Sequence, residues 1–253
     1  MSKFAIVTGE SRGLGEGIAK LLLESGVNVI GLSRSQNHHL PGIAKENNQI
    51  YKHYSCDLSD PEQVEGTFNE LKELVFTKEL STVFLVNNAA AVGPIDQAMN
   101  VNRKELVQHV HINTVAPMLL TNLFLKEAQE FDAVQAISVI VTSGAARRAI
   151  YGWSAYCSTK AGMNMYTETV ALEQEELHTG NKVIAFDPGV MDTEMQETIR
   201  SSNKEAFSDV ERYRKLKEEN HLNSPMDVAG VLIDILNDED VVNGKLYSIK
   251  NYL

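Results

Sequence analysis

The stretch Phe4-Ala5-Ile6-Val7-Thr8-Gly9-Glu10-Ser11-Arg12-Gly13-Leu14-Gly15 decides the fold. It opens as an apolar run of strand length and breaks at Gly9. It then passes through Gly13 and Gly15 into Ile18, Leu21, Leu22 and Leu23 at helical spacing, which stop at Ser25-Gly26. The order is strand, glycine-rich turn, helix N-terminus. Glycines let the backbone close on a pyrophosphate, and the free amides and positive dipole end of the helix favour its charge. The spacing is GxxxGxG. Glycines also end strands and cap helices, so the surroundings must carry the reading.

Outward from this unit, a second strand at Val27–Leu32 ends in Ser33-Arg34-Ser35, where a dinucleotide fold places the adenosine ribose. A carboxylate there holds the 2′-hydroxyl of NAD, whereas an arginine accepts the 2′-phosphate of NADP. No Asp or Glu occurs from Asn28 to Lys45. Arg34 and Ser35, with Arg12 from the turn, therefore predict an NADP(H) clamp; two solvated arginines are the alternative. Gln36–Asn48, with Pro41-Gly42, reads as a loop. A third strand at Ile50–Ser55 leads to Asp57-Leu58, and Asp60-Pro61 caps a helix through about Phe76. Asp57 either reaches an adenine amino group or caps a turn.

Ser81–Val86 makes a fourth strand, with small residues in Asn87-Asn88-Ala89-Ala90 leaving room at its end. Helices cover Arg103–His111 and Thr114–Glu130, with Asn113 between or within them. A fifth strand, Ala136–Val141, leaves Ser143 at its carboxyl end, where open α/β sheets bind ligands. In Tyr156-Cys157-Ser158-Thr159-Lys160, a phenol and an ammonium at i and i+4 share one face of a helix running to about Leu177. A nearby cation favours the ionised phenol and moves it toward general acid–base use. That helix turns Ala161, Met165 and Leu172 inward. A sixth strand, Asn181–Phe186, ends in Asp187-Pro188-Gly189-Val190 at the same edge, and Ser224-Pro225 starts a helix before a last strand at Lys245–Ile249. Residues 190–222 are polar, without a long core pattern, and read as a mobile substrate flap. The expectation is α/β: one Rossmann-type domain over residues 1–253, a doubly wound sheet with helices on both faces.

The net charge of −11 argues against a nucleic-acid surface. No run reaches the ~18 apolar residues of a membrane span, no basic amphipathic helix suits a membrane surface, and the N-terminus lacks a leader pattern, so the expected location is the cytoplasm. The two cysteines, Cys56 and Cys157, read as reduced thiols, and the seven histidines fall into no ligand pattern, so no metal is expected.

TGESRGLG at Thr8–Gly15, NNAA at Asn87–Ala90, Asn113, Ser143, YCSTK at Tyr156–Lys160 and PG at Pro188-Gly189 together resemble the short-chain dehydrogenase/reductase family over nearly the whole chain. The resemblance implies a seven-stranded parallel sheet, Tyr156 as proton donor to a carbonyl oxygen and Ser143 orienting that oxygen. It also implies that Lys160 binds the nicotinamide ribose and tunes the phenol, while Asn113 holds a relay water. Cofactor contacts are implied at Gly9, Ser11, Arg12, Gly13, Leu14 and Gly15, at Arg34, Ser35, Asp57 and Leu58, and at Asn88 and Ala89. Tyr156 and Lys160 join them, as do Pro188, Gly189, Val190 and Thr193. Homodimers or homotetramers through helices near 101–130 and 154–177 are implied too. The family's usual NNAG is NNAA here. Within the family, GWSAYCSTKAGMNM at Gly152–Met165, VALE at Val170–Glu173 and DPGVMDTEMQ at Asp187–Gln196 are similar to sepiapterin reductases and the bacterial benzil reductases that resemble them. The former hold their pterin with an Asp near the C-terminus, and this chain ends SIKNYL.

The resulting expectation is an NADPH-dependent carbonyl reductase acting on an aromatic or vicinal diketone such as benzil. Ser143, Ala145, Trp153, Tyr156 and Met191 would line the substrate side; Trp153 and Met191 are equally well read as packing. The alternatives are a pterin reductase, an alcohol dehydrogenase, and an NADP(H)-sensing protein without chemistry. The intact Ser, Tyr, Lys and Asn set speaks against the last.

Overall fold

The computed structural model describes residues 1–131 and 133–253. Seven strands form one parallel sheet: β1 (Ser2–Thr8), β2 (Asn28–Ser33), β3 (Tyr51–Ser55), β4 (Leu80–Asn87), β5 (Gln135–Val141), β6 (Lys182–Asp187) and β7 (Leu246–Ser248), in the order β3-β2-β1-β4-β5-β6-β7. The central strands are buried on both faces, which is why Phe4–Val7 is continuously apolar and does not alternate. Strand order reverses between β1 and β4, opening a crevice at the carboxyl ends.

On one face, Ala5, Val7, Val29 and Phe84 meet α1 (Gly13–Glu24), α2 (Leu40–Glu46) and α9 (Pro225–Asn237). On the other, Phe4, Ile6, Ile30 and Leu85 meet α3 (Pro61–Val75), α5 (Ala116–Ala128) and α6 (Ser154–Glu176). Asp60 caps α3 as its sequence predicts, accepting from the Glu62 and Gln63 amides at 3.1 and 3.2 Å. No helix is long and apolar enough to cross a membrane among the described residues.

Three expectations are corrected. The loop expected over Gln36–Asn48 contains α2: Pro41 stands in its first turn, where a missing amide costs nothing, and Leu40 and Ala44 are buried under it. The inward face of α6 is Met163, Thr167, Val170 and Ala171, while Ala161, Met165 and Leu172 face outward. Tyr156, Thr159, Lys160 and Met163 fix the rotation of that helix, and residues two positions off the stripe turn away from the sheet. Finally, the segment read as a flap without a long core pattern folds into α7 (Glu194–Arg200) and α8 (Val210–Glu218). Its Phe207, Val210 and Tyr213 are buried in a third core with Val92, Ala145, Trp153 and Tyr156.

Candidate functional site

The crevice is built from backbone first. Gly9 and Gly13 take φ of +69° and +59°, turning β1 into α1, and a Cβ on Gly15 would collide with the Gly9 carbonyl oxygen. The Thr8 hydroxyl accepts from the Asn88 and Ala89 amides, both at 3.0 Å, and Asn88 Nδ2 donates to Thr8 O at 2.9 Å, so β4 holds the turn across the switch point. Helix α1 has no side-chain N-cap, leaving its first-turn amides available for an anion. A bare cradle with free amides fits a dinucleotide pyrophosphate. Leu14 and Leu58 send their side chains into the two cores, so only their backbone faces a ligand.

Around the cradle the expected residues take unequal parts. Arg34 and Ser35 are exposed just after β2. Arg12 instead pairs with Glu194 of α7. Asp57 accepts from the Ser59 amide and hydroxyl at 2.9 and 2.8 Å, the turn-capping alternative, and these bonds with the Arg34 charge hold its carboxyl below its ordinary range. Pro188, Gly189 and Val190 follow β6, and Thr193 caps α7 at 3.5 Å to the Gln196 amide.

Glu10 was missed. It is buried, with Oε1 accepting from Ser33 Oγ at 3.1 Å and Tyr51 OH at 3.3 Å and lying 2.8 Å from His53 Nδ1. A carboxylate thus does reach the end of β2, from the glycine turn and from beneath. Sequence order hid it, because its partners lie on β2 and β3. His53→Ala would strip a hydrogen-bond partner from this buried carboxyl group and is expected to lower unfolding free energy by about 1–3 kcal/mol. Urea titration measures this.

At the centre, α6 places Tyr156 and Lys160, both buried, against the end of β5. Burial pushes the phenol up to about 12; the adjacent Ser143 hydroxyl opposes this, while Tyr213, Asp187 and Cys157 add to it. Burial alone pulls the Lys160 ammonium down to about 8. Its Nζ donates to Val141 O at 2.8 Å and stands 5.8 Å from the Tyr156 ring centroid. A cation beside the phenol was expected to depress it; in this arrangement desolvation of the enclosed oxygen is the larger influence and acts the other way. Ser143 caps the turn at Gly144–Arg147, its Oγ accepting from the Ala145 amide at 3.2 Å. Arg147 donates to the buried Asp187 at 2.7 Å, offsetting a carboxylate near the phenol. Asn113 lies in a π-helical turn, His111–Val115, between α4 (Arg103–Val110) and α5, a local widening often found at functional sites.

Over the phenol lies an aromatic wall. Trp153 stacks on Phe207 at 4.8 Å between centroids and meets Tyr156 at 5.2 Å and Tyr213 at 5.6 Å. Ala145 belongs to this wall. Met191 does not: its backbone pairs with Asn223, and its side chain packs on the α1 side of the sheet. Phe207 and Tyr213 escaped sequence reading because they sit singly in polar surroundings.

Known proteins agree with this architecture. A benzil reductase ((S)-benzoin forming) of Bacillus subtilis (strain 168) is 41% identical over 248 residues, 98% of each chain. Another, of Bacillus cereus, is 38% identical over 247 residues, covering 98% of this chain and 99% of its own. Sepiapterin reductases are more distant. The crystal structure of a short chain dehydrogenase/reductase from Saccharomyces cerevisiae superposes with a TM-score of 0.82 at 25% identity, covering 98% of this chain and 96% of that one. The family model described as short chain dehydrogenase matches residues 3–204, and this chain is an oxidoreductase belonging to the short-chain dehydrogenase/reductase family, with a nucleotide-binding fold for NAD(P)(H).

Proposed function

We propose that the chain is an NADPH-dependent reductase of aromatic or vicinal diketones, with benzil as the model substrate. The observation that carries the reading is the meeting of Tyr156, Lys160 and Ser143 at the end of β5, with the aromatic wall of Trp153, Phe207 and Tyr213 packed on the phenol: a proton donor set against an apolar surface. The nicotinamide, when bound, supplies the hydride. Ser143 orients the carbonyl oxygen toward Tyr156. Lys160 stands beside the phenol to hold the ribose and balance the charge left on it, and the Asn113 turn completes the relay. The aromatic wall of Trp153, Phe207 and Tyr213 excludes water and suits aryl groups. The relatives at 38–41% identity are named for this chemistry.

The preference for NADPH rests on Arg34 and Ser35. Glu10 is fully buried beneath β2 with its Oε1 turned to Ser33, so it presents no exposed carboxylate to the 2′-hydroxyl there. Arg34→Ala is expected to raise KM for NADPH about ten-fold, a typical charge-assisted contact, with KM for NADH unchanged. Steady-state kinetics with both cofactors decides it, and equal KM values for the unaltered enzyme would dismiss the clamp.

The single-domain chain would pair through exposed apolar residues on adjacent helices, Leu106 and Val107 on α4 and Met165 and Leu172 on α6, as a homodimer or homotetramer. Both cysteines are free thiols, in keeping with the cytoplasm. The reaction itself is tested by following nicotinamide absorbance with a panel of diketones, pterins and simple ketones, with chiral analysis of the products. Dinucleotide binding without turnover of any carbonyl would replace the enzyme by a sensor.

A further inference from the structure

We infer that His109 is a positioning residue of the proton-transfer site, whose ring holds the Asn113 amide in place and works only while Nε2 is bare. The inference rests on the reading of Tyr156 and Asn113 just given. His109 stands in the last turn of α4 and is 1% exposed. Its Nδ1 lies 2.6 Å from the Gly93 carbonyl oxygen, which can only accept, so Nδ1 carries the hydrogen. Nε2 is then an acceptor, 3.1 Å from Asn113 Nδ2 and 3.1 Å from Thr159 Oγ1.

The Asn113 amide has no freedom to answer differently. Its Oδ1 accepts from the Ala91 amide at 2.8 Å and its Nδ2 donates to Ala91 O at 2.7 Å. One hydrogen of Nδ2 remains, and it points to His109 Nε2. Thr159 satisfies its hydroxyl on Ala155 O at 2.9 Å, one turn back on α6, and does not compete. The ring is thus a wedge joining the end of α4 to the turn of α6 that bears Tyr156 and Lys160, with its plane at 72° to the Tyr156 ring and 6.3 Å between centroids.

Protonation would undo the arrangement. A second N–H at Nε2 would face the Asn113 NH2, donor against donor, and turning the amide over would break both bonds to Ala91. The hydrogen could pass to Thr159 Oγ1, but a buried Asn113 donor would be left without an acceptor. The surroundings keep the ring neutral. From α6 it faces Lys160 and Tyr156; residues 91–93 bring no titratable group; His111, in the π turn, directs Nδ1 to Ser59 O at 2.8 Å; and Glu105, one turn back on α4, is exposed. Burial, then the Lys160 charge, hold the imidazole below its ordinary value, against the pull of the Gly93 and Ala155 carbonyls. The sign follows: the working neutral form dominates at pH 7, and activity falls only on the acid side, below the ordinary histidine value of about 6.5.

His109→Phe keeps a ring and removes the acceptor; His109→Gln restores an acceptor that does not titrate. Activity profiles from about pH 5 to pH 8 are expected to show kcat down about ten-fold at neutral pH in His109→Phe, with dinucleotide affinity unchanged. His109→Gln should recover most of kcat and lose the acid limb of the unaltered enzyme. An acid limb that persists in His109→Gln, or full kcat in His109→Phe, overturns the inference. Should His109→Phe fail to fold, the His109→Gln profile decides. Nitrogen NMR of the ring, which needs no substrate, must show hydrogen on Nδ1 and none on Nε2; the opposite tautomer also overturns it. Tyr156→Phe measured alongside separates the two readings: an active Tyr156→Phe removes the reductase assignment, whereas an inactive one beside a normal His109→Phe removes only this inference.

Discussion

Tyr156→Phe is expected to reduce carbonyl turnover by about 10²–10³-fold, the usual worth of one positioned donor, or roughly 3–4 kcal/mol of barrier. The substitution removes one oxygen and little else. The ring keeps its edge contacts with Trp153 and His109, at 5.2 and 6.3 Å between centroids, so the aromatic wall and the α6 turn stay in register. Lys160 is anchored on Val141 O and does not depend on the phenol for its place. The dinucleotide should therefore bind with unchanged affinity while kcat collapses. Single-turnover kinetics with calorimetric binding measures both, and a variant retaining near-full turnover would remove Tyr156 from the chemistry.

How the sequence announced this site, and where it did not, has one physical logic. Groups belonging to one local element were legible. Gly9 and Gly13 declare a turn by their left-handed backbone and Gly15 by its close approach to Gly9, and Tyr156 and Lys160 declare a shared face because helical spacing places them there. Groups defined by a partner far along the chain were not. Glu10 looks like a solvated carboxylate until β2 and β3 bring Ser33 and His53 to it. His109 looks like a surface histidine among Arg103, Lys104 and Glu105 until α6 folds over it. Phe207 and Tyr213 are isolated aromatics in a charged stretch, and it takes Val92, Ala145, Trp153 and Tyr156, far earlier in the chain, to give them a core. The phenol is the same case. Spacing gave the cation, whereas the state of the proton depends on burial, which no local pattern encodes.

Gly15→Ala is expected to weaken dinucleotide binding by at least about 100-fold, because a single methyl group here has no flexible neighbour to displace. The added Cβ would strike the Gly9 carbonyl oxygen and crowd Asn88 Nδ2 at 2.6 Å and Gly9 C at 2.8 Å. Two of these three are backbone atoms, and the third belongs to the side chain that ties β4 to the Thr8 carbonyl. The turn must then open where it is meant to close on a pyrophosphate, and the amides of α1 move away from their anion. Losing two charge-assisted bonds of about 1.5–3 kcal/mol each accounts for that weakening. The strain should also lower stability by about 1–3 kcal/mol. Gly13→Ala supplies the contrast. Its Cβ would meet only Thr193 Cγ2 at 3.6 Å, so what it bears is a φ of +59°, about 1 kcal/mol of strain without displacement of the cradle. Titration of both variants with the dinucleotide, alongside thermal melting, tells close backbone approach from mere conformational preference. Binding within a few-fold of the unaltered chain in Gly15→Ala would place the pyrophosphate elsewhere.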